Sequence, residues 1–516
     1  MAARAAVLIG VVVLLAVAMA GFATIDNTPL FESDENETLE VWETYEANES
    51  LDINESEGLD AADVDSVVNR SMARVEAIRD VRFEERPNVT VIDRETFRNE
   101  STVPTRSADT RTFDNVKLRA LFFLDGEEDI ETIEAELRNE TVGGYYSTAT
   151  GEIVLIADDD DLVLDEITLA HELVHAWQDQ HMNLSSIADA DTRDGQLARL
   201  AVIEGDAVYA EERYEQRCEA EWECVRPEHE TEPDGDIDWG LFLRDFHPYS
   251  DGPALVNRTY EQGGWDAVNN LYENPPNTTA EVIDPNRSDA IDISSANLTD
   301  AHRGEWERLR PSGEIDHQRL GQASMSAMFA ATIYEDPGHS VVDPDDVLNF
   351  DHAEPTPRVD PLNYDISATS GWTDDRFHAY VLEDEETGWV WRSTWESDAD
   401  AEAFAQGYGE LVEIRGGQEV YPGVYRLEGP TNDGAYAMNV SGDTVTLVYA
   451  SDEGELLNVS TKIASDVPIE PEHLDDVDNL EAMPGFGVGL AIVSYVAAML
   501  VIFARHSRGG AAGREA

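Results

Sequence analysis

Residues 171–181 read His-Glu-Leu-Val-His-Ala-Trp-Gln-Asp-Gln-His, and the first five match the pattern HExxH. In a helix, His171 and His175 lie one turn apart on one face, so both imidazole rings can bind one metal ion. Glu172 lies beside them, where its carboxylate can take a proton from a metal-bound water without being a ligand. The pattern therefore predicts a Zn²⁺ site with Glu172 as general base, a chemistry most often used to hydrolyse amide bonds.

The residues around this pattern favour a helix, which the metal geometry requires. Asp165 and Glu166 precede the pattern, and acidic side chains are favoured at the start of a helix. Apolar residues then recur at helical spacing, with no Pro or Gly to interrupt them. The competing interpretation is a pair of solvent-exposed histidines on an ordinary helix.

Three residues are candidates for the third metal ligand. His181 has the spacing of the longer pattern HExxHxxGxxH, but Gln178 occupies the glycine position, so a continuing helix would turn His181 away from the metal. Glu204 is a carboxylate in the middle of the apolar helical stretch 200–207, and such a carboxylate needs a partner. We predict that Glu204 is the ligand, with His181 and then Asp206 as alternatives. A buried salt bridge is the other explanation of Glu204.

The stretch HELVHAWQDQH, followed by VIEGDA at residues 202–207, resembles a group of secreted prokaryotic zincin-like metallopeptidases of the gluzincin type. The similarity extends beyond the motif to most of residues 65–450. Its further segments are residues 79–83, 93–98, 144–151, 248–253, 263–276 and 371–376. Gluzincins use two histidines and a downstream glutamate, so the resemblance implies that Glu204 is the third ligand.

The resemblance also implies a fold, a substrate and auxiliary residues. We expect an α+β zincin-like metallopeptidase domain with an edge strand next to the active-site helix, and a peptide or protein as substrate. Residues 153–156 are the candidate for this strand, which in zincins pairs with the substrate backbone. Tyr249, Arg376 and Tyr145 are candidates for stabilising the oxyanion, and packing roles are the alternative for each.

The charge of the chain indicates the medium in which it works. The formal net charge is -74, from 108 Asp and Glu against 34 Lys and Arg, and the acidic residues are spread along the whole chain. Such a chain repels itself at low ionic strength, whereas in molar salt the Debye length falls to about 3 Å. This composition resembles that of proteins from extreme halophiles such as haloarchaea. It excludes nucleic acid as a partner, and we interpret the acidic run 158–161 as a solvated surface rather than a calcium site.

Both ends of the chain resemble targeting segments. Arg4 followed by an apolar run predicts a signal peptide at residues 1–23, with an uncleaved anchor as the alternative. Residues 484–516 begin with Pro484, Gly485 and Phe486 and continue as an apolar segment with a basic tail. This arrangement resembles the sorting signal of haloarchaeal surface proteins, in which an archaeosortase exchanges the segment for a lipid anchor. A permanent transmembrane helix is the alternative, and either places the protein on the outer face of the membrane.

Two further features agree with an extracellular location. Cys218 and Cys224 are the two cysteines, and their spacing predicts a disulfide that closes a small loop. Zinc binding by this pair is the weaker alternative, because no second pair accompanies it. Acceptor sequences for N-glycosylation are numerous and begin, among others, at Asn36, Asn48, Asn54, Asn277 and Asn458.

The pattern of the chain predicts a succession of segments. They are the signal peptide, an acidic stalk at 24–60, the zincin-like domain at 61–315, a helical and then β-rich part at 316–465, an acidic linker at 466–483 and the sorting signal. We expect helices at 61–79, 197–217, 255–272 and 318–334, and strands at 89–92, 118–123, 424–427, 435–440 and 444–449, with a hairpin at 145–156. The predicted function is a cell-surface zinc metallopeptidase. The alternative is a non-catalytic surface or cell-wall binding protein that retains a zincin fold.

Overall fold

The computed structural model of the chain describes residues 31–32, 42–53 and 59–463. Within these ranges, the segments it does not describe are residues 101–104, 127, 158–163, 227–236, 313–314, 316, 336–337, 351–356, 358, 383–385 and 430–431. The predicted signal peptide, most of the stalk, the acidic linker, the sorting signal with Pro484, Gly485 and Phe486, and the acidic run 158–161 lie outside the described residues. None of the described helices is both long and apolar enough to span a membrane.

The structure is a mixed α+β fold with a β-rich C-terminal part, as predicted. Its helices are α1 (Ala61–Arg79), α2 (Arg94–Glu100), α3 (Ala108–Ala120), α4 (Ile130–Thr141), α5 (Glu166–Met182), α6 (Leu184–Ala188), α7 (Arg193–Ala220), α8 (Trp239–Glu273), α9 (Thr279–Ile283), α10 (Gly321–Glu335), α11 (Asp398–Ile414) and α12 (Glu453–Val459). Side-chain caps fix several helix starts. Asp60, for example, accepts hydrogen bonds from the backbone N–H groups of Ala62 and Asp63 at the start of α1.

A four-stranded sheet carries the hairpin before α5. It contains β1 (Phe31–Glu32), β2 (Asn88–Asp93), β3 (Gly144–Ser147) and β4 (Glu152–Ala157), in the order β1-β2-β4-β3. β4 pairs in parallel with β2 and antiparallel with β3. The predicted hairpin and the predicted strand at 89–92 are therefore confirmed. The prediction that residues 153–156 form an edge strand is wrong, because β4 has a neighbour on both sides and the edge next to α5 is β3.

The C-terminal part is built on a seven-stranded sheet whose paired strands all run antiparallel. Its strands are β5 (Glu307–Arg308), β6 (Trp372–Leu382), β7 (Glu386–Trp395), β8 (Gln418–Tyr421), β9 (Val424–Leu427), β10 (Gly434–Ser441) and β11 (Thr444–Ala450), in the order β5-β6-β7-β11-β10-β9-β8. The last three strands predicted from the sequence are confirmed as β9, β10 and β11. Large aromatic side chains of this sheet, including Trp372, Trp389 and Trp391, are almost completely buried.

The largest hydrophobic core joins the two parts of the chain. It contains residues of α3, α8, α10 and α11 together with side chains from the seven-stranded sheet. A second core lies between α1, α5, α7 and the four-stranded sheet. The predicted boundary at residue 316 therefore does not separate two independent cores, because α10 packs against α8 as well as beside the C-terminal sheet.

Two predicted elements differ from the structure. Residues 118–123 were expected to form a strand, but they are the end of α3 and the turn that follows it. A short apolar run can be a strand or the buried end of a helix, and the N-cap Ser107 starts a helix that continues through it. The helix expected at 255–272 begins earlier, at Trp239, and passes through Pro248 and Pro253 before a non-helical break at Gly263 and Gly264.

Candidate metal centre

Helix α5, which carries the HExxH pattern, is fixed at its first turn by a buried carboxylate. Glu166 is fully buried and accepts hydrogen bonds from Arg70 at 2.9 Å, Arg74 at 2.6 Å and the Tyr214 hydroxyl at 2.6 Å. A buried carboxylate that is satisfied by several charged and polar partners is geometrically well determined. The orientation of α5 is therefore set by contacts with α1 and α7, and the histidine face points toward α7.

His171, His175 and Glu204 bring three potential ligand atoms together. The Nε2 atoms of the two histidines are 3.0 Å apart and lie 3.3 Å and 3.2 Å from Glu204 Oε2. Three ligands at about 2.0–2.1 Å from a tetrahedral zinc lie about 3.3 Å from one another. These three residues, all among those that the structure describes, form a group that could hold a metal ion. The spacing therefore fits a single small cation bound by all three residues.

The other nitrogen of each imidazole faces an acceptor. His171 Nδ1 lies 3.0 Å from Glu211 Oε2, and His175 Nδ1 lies 2.8 Å from Gln178 Oε1. An Nδ1–H that donates to these oxygens leaves the Nε2 lone pair free for a metal. With both histidines in this form, three electron pairs converge on one small volume, and this arrangement is unfavourable unless a cation occupies it.

The ionisation of the three residues reflects the same requirement for a cation. Burial alone would lower the pKa of His171, but hydrogen bonds to Glu204 and Glu211 outweigh burial and raise that pKa to about 10. Burial would raise the pKa of Glu204, but His175 and His171 together lower it to about 2. In the absence of a metal, a proton shared with a histidine thus provides the positive charge beside Glu204.

Glu172 is placed differently from the three ligands. It is fully buried, and neither of its carboxylate oxygens has a hydrogen-bond partner among the described residues. Burial raises its pKa, which His175 and His171 only partly offset. The backbone amide of Tyr146 in β3 also lowers this pKa slightly, without reaching hydrogen-bond geometry. Glu172 therefore lies between the ligands and the edge strand, with a raised affinity for a proton.

A close crossing of α7 and α8 holds Glu204 in place. A Cβ atom built on Gly205 would lie 2.4 Å from the carbonyl carbon and oxygen of Gly252, and one built on Gly252 would lie 2.4 Å from the oxygen of Ala201. Only glycine allows such an approach of two backbones. The crossing brings Tyr249 of α8 onto the site, where its ring stacks with His171 at a centroid distance of 6.4 Å, and burial and the nearby carboxylate of Glu204 raise the pKa of its hydroxyl well above the usual value.

The remaining ligand candidates lie elsewhere. His181 stacks on Trp177 at 5.1 Å, its Nδ1 lies 2.9 Å from the Trp177 carbonyl, and its Nε2 lies 3.8 Å from exposed Glu84. Asp206 accepts hydrogen bonds from Nε and Nη2 of Arg79, at 2.8 Å and 3.0 Å. Because α5 continues as a helix through Gln178, His181 is turned away from the metal-binding face. The structure brings Glu204, and neither His181 nor Asp206, to the two histidines.

Of the three candidates for oxyanion stabilisation, the structure places Tyr249 in contact with the ligands. Tyr145 lies in a hydrophobic cluster with Phe97 and faces the guanidinium of Arg138. Arg376 of β6 lies opposite Arg392 of β7 in the antiparallel register of the C-terminal sheet. Tyr145 and Arg376 therefore have structural surroundings that do not involve the ligands.

Cys218 and Cys224 form the predicted disulfide, with their Cα atoms 5.7 Å apart. The bond closes the loop that follows α7 and leads to Val225, whose backbone N–H donates to Glu166 Oε2 at 2.8 Å. The loop therefore supplies one of the partners that fix the first turn of α5. The alternative that these cysteines bind zinc is wrong, since both sulfurs are used in the bond.

The residues that hold the histidine rings were not predicted from the sequence. Glu211 follows Glu204 by seven residues, which places both on one face of α7, and this spacing was a usable signal. Gln178 entered the argument only as a residue that was not glycine. Its contact with His175 could not be inferred without the position of α7.

Comparison with known families bears on the C-terminal part alone. Residues 307–460 match the model of a domain of unknown function (DUF8575). This range begins with β5 and ends after α12, so it corresponds to the seven-stranded sheet with its helices and excludes the two histidines, Glu172 and Glu204. Comparisons with curated proteins and with solved structures found no match. Support for a function therefore comes from the geometry of the site.

Proposed function

We propose that this protein is a zinc-dependent peptidase whose metal is held by His171, His175 and Glu204. The observation that carries the proposal is the convergence of two Nε2 atoms and one carboxylate oxygen within 3.0–3.3 Å. Two histidines and a glutamate form a ligand set that is typical of catalytic zinc, since it leaves one position for water or substrate. A bound zinc would lower the pKa of a water molecule to about 7.

In the proposed reaction, the protein's own residues position the substrate and move the proton. Glu172 takes up the proton of the attacking water and returns it to the leaving amine. Its two unpartnered oxygens and its raised pKa suit it to this role. The Tyr249 hydroxyl lies beside Glu204 and can donate to the oxyanion. The strand β3 lies at the edge of its sheet and is the candidate to pair with an extended peptide.

A second candidate function is a structural metal site in a non-catalytic surface protein. The observation in its favour is burial, because the residues His171, Glu172, His175 and Glu204 are each at most 2% exposed. Structural sites are closed, whereas catalytic sites must admit a substrate. The unpartnered carboxylate of Glu172 favours catalysis instead, since a structural site has no use for a buried and unsatisfied acid.

The test uses the full chain, kept in molar salt so that charge repulsion does not unfold it. Zinc content and the hydrolysis of a broad peptide library are measured for the wild type, Glu172→Gln and His181→Ala. We expect one zinc per chain in all three proteins, and a loss of hydrolysis of about 100-fold or more in Glu172→Gln alone. Zinc without hydrolysis in the wild type would support the structural alternative, and a wild type without zinc would refute the metal site.

We also propose that the folded body lies on the outer face of the cell membrane. The disulfide supports this location, because such bonds persist in oxidising surroundings. The resemblance of the two termini to a signal peptide and to an archaeosortase signal supports it as well. Mass spectrometry of the mature protein tests the anchor, and a peptide from the basic tail after Phe503 would indicate a retained helix.

A further inference from the structure

We propose that Gln178 is a positioning residue that fixes the tautomer of His175 and ties this ligand to the helix that carries Glu204. The inference rests on the proposed metal centre and goes beyond its three ligands. Gln178 is fully buried, three residues after His175 on α5. Its side-chain amide makes three hydrogen bonds, one within α5, one to α7 and one to α8.

The orientation of the amide follows from one atom whose role is unambiguous. Gln178 Nε2 lies 2.9 Å from the carbonyl oxygen of Ile203, and a carbonyl oxygen can only accept. The NH₂ group must therefore face Ile203, and the amide oxygen must face His175 Nδ1, at 2.8 Å. This oxygen is also only an acceptor, so Nδ1 of His175 carries the proton and Nε2 offers its lone pair to the metal.

The second hydrogen of the NH₂ group is used by α8. Gln178 Nε2 donates to the Tyr272 hydroxyl at 2.8 Å, and this hydroxyl donates to Asp206 Oδ2 at 2.7 Å. Asp206 accepts two hydrogen bonds from Arg79, whose guanidinium lies 4.0 Å above the ring of Trp265. Each hydrogen bond in this series has one possible direction, and the series ends at the Arg79 guanidinium, which can only donate. The direction of every hydrogen bond between Arg79 and His175 is thus determined.

The position of Ile203 adds a second consequence. Ile203 directly precedes Glu204, so the same amide that orients His175 also holds the backbone beside the third ligand. Two ligands from different helices are thereby linked by one side chain. His171 is tied to α7 in a different way, because its Nδ1 faces the carboxylate of Glu211, seven residues after Glu204 on that helix. We infer that loss of Gln178 disturbs the geometry of the site rather than merely weakening the fold.

The test replaces Gln178 with Met, which has a similar size and no hydrogen-bonding amide. Gln180→Met is the matched control, because Gln180 lies on the same helix and also bonds to backbone, but at the surface. Zinc affinity is measured by chelator competition, and the site is loaded with Co²⁺ for its visible absorption spectrum. We expect Gln178→Met to bind zinc about 10- to 100-fold more weakly, with an altered Co²⁺ spectrum. Gln180→Met should match the wild type in both.

Two further measurements separate this inference from a purely structural role. Gln178→Glu keeps an acceptor for His175 but loses both donors, so its zinc affinity should lie between those of the wild type and Gln178→Met. If Gln178→Met does not fold, ¹⁵N NMR of histidine-labelled wild type decides, because it reports which nitrogen of His175 is protonated. If the wild type binds zinc, two results would overturn the inference. One is a His175 that is protonated at Nε2, and the other is a Gln178→Met protein with the zinc affinity and Co²⁺ spectrum of the wild type. A wild type without zinc overturns the proposed metal centre itself.

Discussion

The crossing of α7 and α8 at Gly205 and Gly252 predicts a large effect from the smallest side chain. A Cβ at Gly205 would lie 2.4 Å from the Gly252 backbone, whereas carbon contacts are normally about 3.5–4.0 Å. Because both partners are backbone, α8 must withdraw by about 1 Å. Helix propensity alone would make Gly205→Ala more stable by about 1 kcal/mol. Overpacking costs about 1–3 kcal/mol, so we expect a net loss of stability of up to about 2 kcal/mol.

The same displacement should weaken the metal centre. Glu204 adjoins Gly205, and Tyr249 of α8 lies beside Glu204, so withdrawal of α8 changes the surroundings of the third ligand. We expect zinc affinity to fall about 10-fold, measured by chelator competition alongside denaturant unfolding in molar KCl. The control is Gly195→Ala on the same helix, where the nearest atom to the new Cβ is Thr192 Oγ1 at 3.2 Å. A Gly205→Ala protein that is as stable as the wild type and binds zinc equally would refute the reasoning.

The other predictions concern charge and protonation. Glu211→Gln removes the carboxylate that faces His171 Nδ1, and zinc affinity should fall about 10-fold in chelator competition, with hydrolysis reduced in parallel. His247 is buried without a polar partner among the described residues, and burial lowers its pKa to about 3, so the unfolded chain alone takes up this proton as the pH falls below 6.5. Stability should therefore fall by about 2 kcal/mol between pH 6.5 and pH 5, and His247→Phe should lose this part of the slope in denaturant titrations. Because the pKa of His171 is raised to about 10, zinc binding at pH 7 should release about one proton per metal, which calorimetry in buffers of different ionisation enthalpy can measure. Uptake of zinc without proton release would contradict the raised pKa of His171 in the metal-free protein.

The parts of the fold that could be predicted are those in which local pattern and tertiary context agree. Helix α1 was predicted with its observed bounds because its apolar residues recur at helical spacing after the N-cap Asp60. Glu204 was predicted because a carboxylate in an apolar helix needs a partner, and its surroundings supply two histidines. The run 118–123 was wrongly predicted as a strand because its apolar residues complete a helix whose end is buried in the core. The spacing of apolar residues does not distinguish a helix from a strand in such a short run. Gln178 and Glu211 escaped prediction because their function depends on where α5 and α7 cross.

The contacts around the centre also imply how it takes up a metal. Each imidazole already has its Nδ1 at an acceptor, and Glu204 already lies 3.2–3.3 Å from both Nε2 atoms. In the metal-free protein this geometry is compatible with a proton on a histidine, because Glu204 accepts it. Metal binding would then exchange that proton for a cation without moving a ligand to a new rotamer. A site that is organised before binding loses little conformational entropy on binding, so we expect the buried network that ends at Arg79 to contribute to the zinc affinity of the proposed centre.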